Sequence, residues 1–162
     1  MCASYVLGEQ SRRGLWRVLF ANMPSRHRAA YGKRMGVASG LSASITLKVE
    51  EGDTAVAMQS GDVPVLATPR LIALVEQASI LALGTTLGPD KTSVGYEVQL
   101  AHLSPTPVGS EVTADATLES VEGRRLTFRV SVTDSRGLVA AGRITRVVVI
   151  RDRFIERAQS EL

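Results

Sequence analysis

Cysteine and histidine are scarce in this chain of 162 residues, with one cysteine, Cys2, and two histidines, His27 and His102. A lone thiol cannot close an intrachain disulfide, and no Cys/His cluster has zinc spacing. Most metal sites are thereby excluded, as is any mechanism needing two histidines per subunit. Long apolar runs are also missing. The stretch from Leu71 to Leu87 is too short to span a bilayer and carries Glu76 and Gln77. A soluble, reduced, cytoplasmic protein is the expectation. What is present is ordinary globular material, 44% apolar and 22% charged, enough for one domain with a core that needs no staple.

Charge is unevenly spread. Residues 1–40 hold seven Lys/Arg against Glu9 alone, whereas residues 41–162 hold 12 basic and 15 acidic side chains. The net +3 therefore comes from the leader, and a nucleic-acid partner is not expected from the folded part. Ser11-Arg12-Arg13-Gly14-Leu15-Trp16-Arg17 has the outline of a twin-arginine signal. The stretch after it holds Asn22, Pro24, Arg26, His27 and Arg28, so it offers no clean apolar segment. Residues 1–40 are expected to be a disordered basic extension, with Met35 inside it as a second candidate start.

From Leu41 the texture changes, and residues 41–155 read as the folded domain, with 156–162 as a tail. Ser44 to Glu50 alternates with Ile45, Leu47 and Val49 on one face, which predicts a strand. Thr54 to Met58 suggests a second short extended piece. Thr68-Pro69 is a helix-start signal, and the helix it opens runs to about Leu83, where Gly84 can end it. Four strand-like runs follow. Thr92 to Leu103 places Val94, Tyr96, Val98, Leu100 and His102 on one face. Glu111 to Val121 and Leu126 to Asp134 alternate about the Glu122-Gly123-Arg124 turn, and Ser135-Arg136-Gly137 leads into Leu138 to Arg151. An α+β fold follows, in the order β-α-β-β-β-β: a twisted antiparallel sheet wrapped around one helix. That helix carries only Arg70 and Glu76 as charges, so a second subunit is expected to help cover it.

Three residues fit a bland core poorly. Glu76 sits mid-helix on a face shared with Ile72, Ile80 and Leu83, and a buried unpaired carboxylate is costly. Its plain alternative is a partly exposed helix edge. His102 ends a strand in phase with Leu100, where a satisfied core histidine is the plain alternative. Its shared interface with Glu76 suggests a general acid/base pair. Thr68 reads as a helix cap, yet free N–H groups at a helix start also polarise a carbonyl oxygen.

Val65-Leu66-Ala67-Thr68-Pro69, the eight-residue step to Glu76, Ser93-Val94-Gly95, Ala101-His102 and Thr106-Pro107-Val108-Gly109 form an ordered set. Val121-Glu122-Gly123-Arg124-Arg125-Leu126 and Gly142-Arg143-Ile144-Thr145-Arg146 continue it. Together, over about Leu41 to Phe154, the chain resembles the hot-dog thioesterases of the fluoroacetyl-CoA thioesterase type. The resemblance implies a hot-dog fold, a homodimer or higher oligomer, and hydrolysis of an acyl-CoA. It needs no cofactor, since coenzyme A belongs to the substrate. It also puts a catalytic Thr–Glu–His set on Thr68, Glu76 and His102. Gly95 would match a pocket glycine that lets substrate approach, and Arg146 a basic position near the site. Two departures stand out. Asp62-Val63-Pro64-Val65-Leu66 has no aromatic to form the lid associated with fluoroacetyl selectivity, and Pro69-Arg70 replaces smaller or apolar residues.

Geometry adds an expectation of its own. Eight residues of helix separate Thr68 from Glu76 by roughly 12 Å. Glu76 is therefore expected to act with Thr68, and with His102, of a partner subunit. The coenzyme A phosphates would lie on basic side chains such as Arg124, Arg125, Arg143 and Arg146. The rivals are a 2-enoyl-CoA hydratase or dehydratase, whose helix-borne histidine signature is missing, and a non-catalytic acyl-CoA-binding protein.

Overall fold

A computed structural model describes residues 36–160; the expectations for residues 1–35 lie outside the described residues, whereas residues 36–40 belong to the fold rather than to a disordered extension, with Val37 buried in the core and the Gly40 N–H donating to the Leu118 carbonyl. The elements run β1 (Ser42–Lys48), a 3-10 turn (Glu51–Asp53), α1 (Thr68–Leu83), β2 (Lys91–His102), β3 (Glu111–Glu122), β4 (Arg125–Asp134), β5 (Gly137–Ile150) and α2 (Arg151–Ser160). The five strands form one antiparallel sheet in the order β1-β3-β4-β5-β2. With α1 against it, this is the hot-dog arrangement.

Strict alternation makes the sheet one-faced. Val112, Ala114, Ala116 and Leu118 of β3 are buried, as are Leu126, Phe128, Val130 and Val132 of β4. Opposite them, α1 buries Leu71, Leu74, Val75, Ala78, Ala82 and Leu83, a stripe at helical spacing. Each fully buried Leu or Phe contributes on the order of 2 kcal/mol, so this interface is the main source of stability. The two alanines on β3 leave room for the helix to lie close. The far side of α1 is open, with Ile80 and Leu81 about half exposed.

Two local features aim α1. Arg70 binds Asp53 through Nε at 2.6 Å, and the Ala67 N–H donates to the Asp53 carbonyl at 2.9 Å. Arg70, one of the departures from the family pattern, thus ties the helix start to the 3-10 turn. At the other end, the Gly84 N–H reaches the carbonyls of Ile80 and Leu81 and its positive φ of 50° closes the helix.

The structure departs from the sequence reading at four further places. The residues after Thr54 form turns rather than a strand, and only the single bridge of Thr54 with Leu66 is extended pairing. The hydroxyl of Thr68 caps nothing: Ala67 is the N-cap, and no side chain bonds there. The last strand stops at Ile150, and the chain turns into α2 instead of running on as a tail. The fourth difference lies in β2, where the register shifts between Gly95 and Glu97. Tyr96 is the extra residue of a bulge, and it reverses the side on which the preceding residues point. Ser93 and Gly95 pair with inward-facing Val148 and Arg146, whereas Val94 pairs with Val147 on the outer side. The inward set on β2 is therefore Ser93, Gly95, Val98, Leu100 and His102, without Val94 or Tyr96. Tyr96 lies 58% exposed, with the Arg125 guanidinium 4.9 Å from its ring centre.

Candidate functional site

Thr68 and His102 meet within one chain. Helix α1 begins at Thr68, and β2 ends at His102 beside it, with the Thr68 Oγ1 and His102 Nδ1 3.0 Å apart. The other ring nitrogen, Nε2, lies 3.1 Å from the Ser104 carbonyl. A carbonyl only accepts, so Nε2 carries the proton in the neutral ring and Nδ1 is left as an acceptor for the Thr68 hydroxyl. The arrangement is a hydroxyl donating to an imidazole base whose tautomer a backbone oxygen sets. Thr68 is exposed and His102 is half-buried, so the pair is open to a substrate. That Thr68 caps nothing has a consequence here, because its oxygen is free to face the ring.

Glu76 stands apart from that pair. Two turns along α1, its Oε1 accepts a hydrogen bond from Arg146 Nη1 at 3.2 Å. The Arg146 guanidinium also donates to the Ser93 hydroxyl from Nε and to the Ser93 carbonyl from Nη2, both at 2.9 Å. Arg146 is 4% exposed, and burial pushes its guanidinium below its ordinary value while the Glu76 charge pulls it back. Gly95 completes the cluster. A β-carbon there would fall 2.3 Å from Glu76 Oε1, so the carboxylate fills the space that a side chain would need. The bulge at Tyr96 accounts for this meeting, since it turns Ser93 and Gly95 inward toward α1.

The residues singled out in the sequence therefore fall into two groups, Thr68 with His102 and Glu76 with Gly95 and Arg146. His102 and Glu76 do not pair, since Thr68 and Ser104 occupy the two ring nitrogens. Glu76 is not an unpaired carboxylate among apolar neighbours, because Arg146 neutralises it. Arg146 does not reach the surface where a phosphate would lie. Its geometry suits holding Glu76, and Ser93 suits anchoring Arg146. Ser104 was not legible as a site residue, because it acts through a main-chain oxygen that no side-chain pattern reports. Among the described residues, no group of His, Cys, Asp and Glu could hold a metal ion. No described helix is long and apolar enough to cross a membrane.

Comparison with known proteins bears on this geometry. Residues 49–152 match the family described as FlK, fluoroacetyl-CoA-specific thioesterase. The fluoroacetyl-CoA thioesterase of Streptantibioticus cattleyicolor is 38% identical over 90 residues, which span 56% of this chain and 65% of that relative, just under two thirds of its length. A crystal structure of the fluoroacetyl-CoA thioesterase FlK superposes with a TM-score of 0.74 at 28% identity, covering 78% of this chain and 98% of that one. A variant of that enzyme solved with fluoroacetate and CoA is 30% identical, with a TM-score of 0.69 over 73% of this chain and 99% of that one. A hot-dog-like protein from Thermanaerovibrio acidaminovorans reaches a TM-score of 0.74 at 26% identity, over 81% of this chain and 96% of its own. By its sheet, its helix and a match over well more than half its length, the chain belongs to the fluoroacetyl-CoA-specific thioesterase family, thioester hydrolases of the hot-dog superfamily.

Proposed function

We propose that this chain hydrolyses a short or medium acyl-CoA to the free acid and coenzyme A, at a site shared by two copies of the chain. Thioester hydrolysis is the activity of its family. The observation that carries the shared site is the separation within one chain: Thr68 is hydrogen-bonded to His102, while Glu76 lies two turns away with partners of its own. A two-fold arrangement brings Glu76 of one copy to the Thr68–His102 pair of the other.

In this reading the thioester carbonyl lies at the start of α1. Among the first residues of the helix, Pro69 has no N–H, and the N–H groups of Thr68 and Arg70 have no partner inside the helix. They stabilise the oxyanion as it forms. Glu76, oriented by Arg146, takes a proton from the attacking water or from Thr68, or itself attacks the carbonyl carbon. The tetrahedral intermediate collapses with cleavage of the carbon–sulfur bond. His102 relays the proton removed from the water or from Thr68 to the departing thiolate, which needs little assistance because a thiol is a good leaving group. When Thr68 or Glu76 attacks, an acyl-threonine ester or an acyl anhydride forms, and a second attack by water releases the acid. Fluoroacetyl selectivity is a property of the relatives named above. The segment Asp62–Leu66 lacks an aromatic lid residue and exposes Val63, and the preceding turns expose Val56 and Met58. A wider acyl range follows. The coenzyme A phosphates fall to exposed arginines such as Arg124, Arg125 and Arg143.

The test is release of free thiol across an acyl-CoA panel from acetyl to palmitoyl, for wild type, Glu76→Gln and His102→Ala. Turnover that falls about 100-fold or more in both variants supports the reading. The shared site is tested by mixing Thr68→Ala with Glu76→Gln subunits under exchange. Each mixed dimer regains one intact site, so activity returns to about a quarter of wild type in a statistical mixture. No thiol release from any substrate removes the hydrolase reading, and no recovery on mixing removes the shared site.

A further inference from the structure

The loop after β2 touches His102 and the segment that leads into Thr68. Ser104 presents its carbonyl to His102 Nε2. Two residues on, the Thr106 carbonyl accepts the Leu66 N–H at 2.8 Å, just ahead of Thr68. Between these two contacts, the Pro105 carbonyl accepts a hydrogen bond from Arg136 Nη2 at 2.7 Å. Arg136 lies in the β4–β5 turn and is itself held by Asp134. Its backbone N–H reaches Asp134 Oδ1 at 2.7 Å, while its Nε and Nη2 reach Oδ2 at 3.1 and 2.7 Å. The Asp134 side chain is only 4% exposed, whereas that of Arg136 is 59% exposed. The start of the loop is pinned as well, since the N–H groups of Leu103 and Ser104 both donate to the Val139 carbonyl.

We propose that Arg136, oriented by Asp134, is a positioning residue for the Thr68–His102 pair. By fixing the loop at Pro105 it keeps the Ser104 carbonyl where it holds His102 in the Nε2–H tautomer, with Nδ1 facing Thr68. An imidazole without that acceptor is free to carry its proton on Nδ1. There it meets the Thr68 hydroxyl as a second donor and cannot take its proton. The guanidinium suits the task because one planar fork reaches a carboxylate and a carbonyl together, which a lysine ammonium cannot reproduce. An exposed turn residue is ordinarily near neutral to substitution, so an effect on the ring is a discriminating outcome. The kinetic part of this proposal rests on the reading of Thr68 and His102 as reacting groups, while the tautomer part does not.

The test uses the full chain labelled with 15N at the imidazoles. With two histidines in the sequence, His27→Gln assigns the spectrum. Wild type is expected to show His102 as the Nε2–H tautomer, Arg136→Ala to shift it toward a mixture, and Arg136→Lys to restore it in part. Alongside, kcat of Arg136→Ala is expected to fall about five- to tenfold with KM within about twofold of wild type. A His102 spectrum unchanged in Arg136→Ala overturns the proposal whatever the activity does. A shifted spectrum with unchanged kcat supports the positioning role and overturns instead the reading of the pair as reacting groups. Should Arg136→Ala fail to fold, Arg136→Lys and Asp134→Asn carry the same comparison, and wild-type spectra in both overturn it.

Discussion

A β-carbon at position 95 would sit 2.3 Å from the Oε1 of Glu76, far inside van der Waals contact, and the carboxylate is the flexible partner that must give way. Gly95→Ala is therefore expected to displace Glu76 from Arg146 rather than to unfold the sheet. Thiol release should fall about tenfold or more while the thermal midpoint changes by only a few degrees. Full activity in Gly95→Ala would show that the position of Glu76 is not critical. Arg146 makes a related contrast visible. Removing its charged neighbour leaves a buried guanidinium short of a partner, so Glu76→Ala should lower the denaturant midpoint more than Glu76→Gln, whose amide oxygen still accepts from Nη1. At the β4–β5 turn, hydrogen bonds from the Arg136 side chain and backbone hold the Asp134 carboxyl below its ordinary value of 3.8. A depressed carboxyl stabilises the fold above its unfolded value and loses that contribution as pH falls through the folded one. Wild type should thus be more stable than Asp134→Asn at neutral pH, with the gap closing below about pH 4. A gap that persists at lower pH would place its cause elsewhere than in this titration.

At the scale of elements, α1 is aimed by the pairing of Arg70 with Asp53. Both side chains are largely covered, at 21% and 16% exposure, so Arg70→Ala is expected to cost about 1 kcal/mol or more, read from the shift in urea midpoint at constant slope. Most of the fold was legible in the sequence because the relevant signals are local and periodic. The alternation on β3 and β4, the turn at Gly123 and the apolar stripe ending at Gly84 each report on their own few residues. Most of the failures share one cause, which is that tertiary context decides them. Nothing local distinguishes the run Thr92 to Leu103 from a straight strand. The bulge at Tyr96 follows from pairing with β5, and it moved Val94 and Tyr96 away from the face assigned to them. Thr68-Pro69 is an ordinary capping signal, and only the arrival of His102 from β2 gives the hydroxyl another partner. For the same reason the candidate site was legible as a set of residues but not as a geometry. Thr68, Glu76 and His102 were all singled out, yet the division into two groups, the anchoring of Arg146 on Ser93 and the carbonyl of Ser104 depend on contacts between distant strands. Helix α2 escaped because Arg151-Asp152-Arg153-Phe154 continues a strand with no proline or glycine to end it.

At the scale of the whole molecule, two surfaces look unfinished in a single copy. β2 is an edge of the sheet, and it carries Tyr96 at 58% and Val98 at 37% exposure. An edge that leaves such side chains and its main-chain groups unpaired is a template for another strand. Helix α1 adds Ile80 and Leu81, each half exposed, on its side away from the sheet. Pairing of β2 with its own copy across a two-fold axis would cover the edge and bring the end of β2, with His102, toward the α1 of the partner. That is the geometry the division of the candidate site calls for. We therefore expect a homodimer in sedimentation velocity at micromolar concentration, and expect Val98→Lys, which sets a charge on the edge, to shift it toward monomer. Because neither half of the site reacts alone in this scheme, thiol release should fall together with the dimer fraction and recover as protein concentration rises. A monomeric Val98→Lys with wild-type turnover per chain would show the site to be complete in one copy. A wild-type protein that sediments as a monomer and still turns over would do the same.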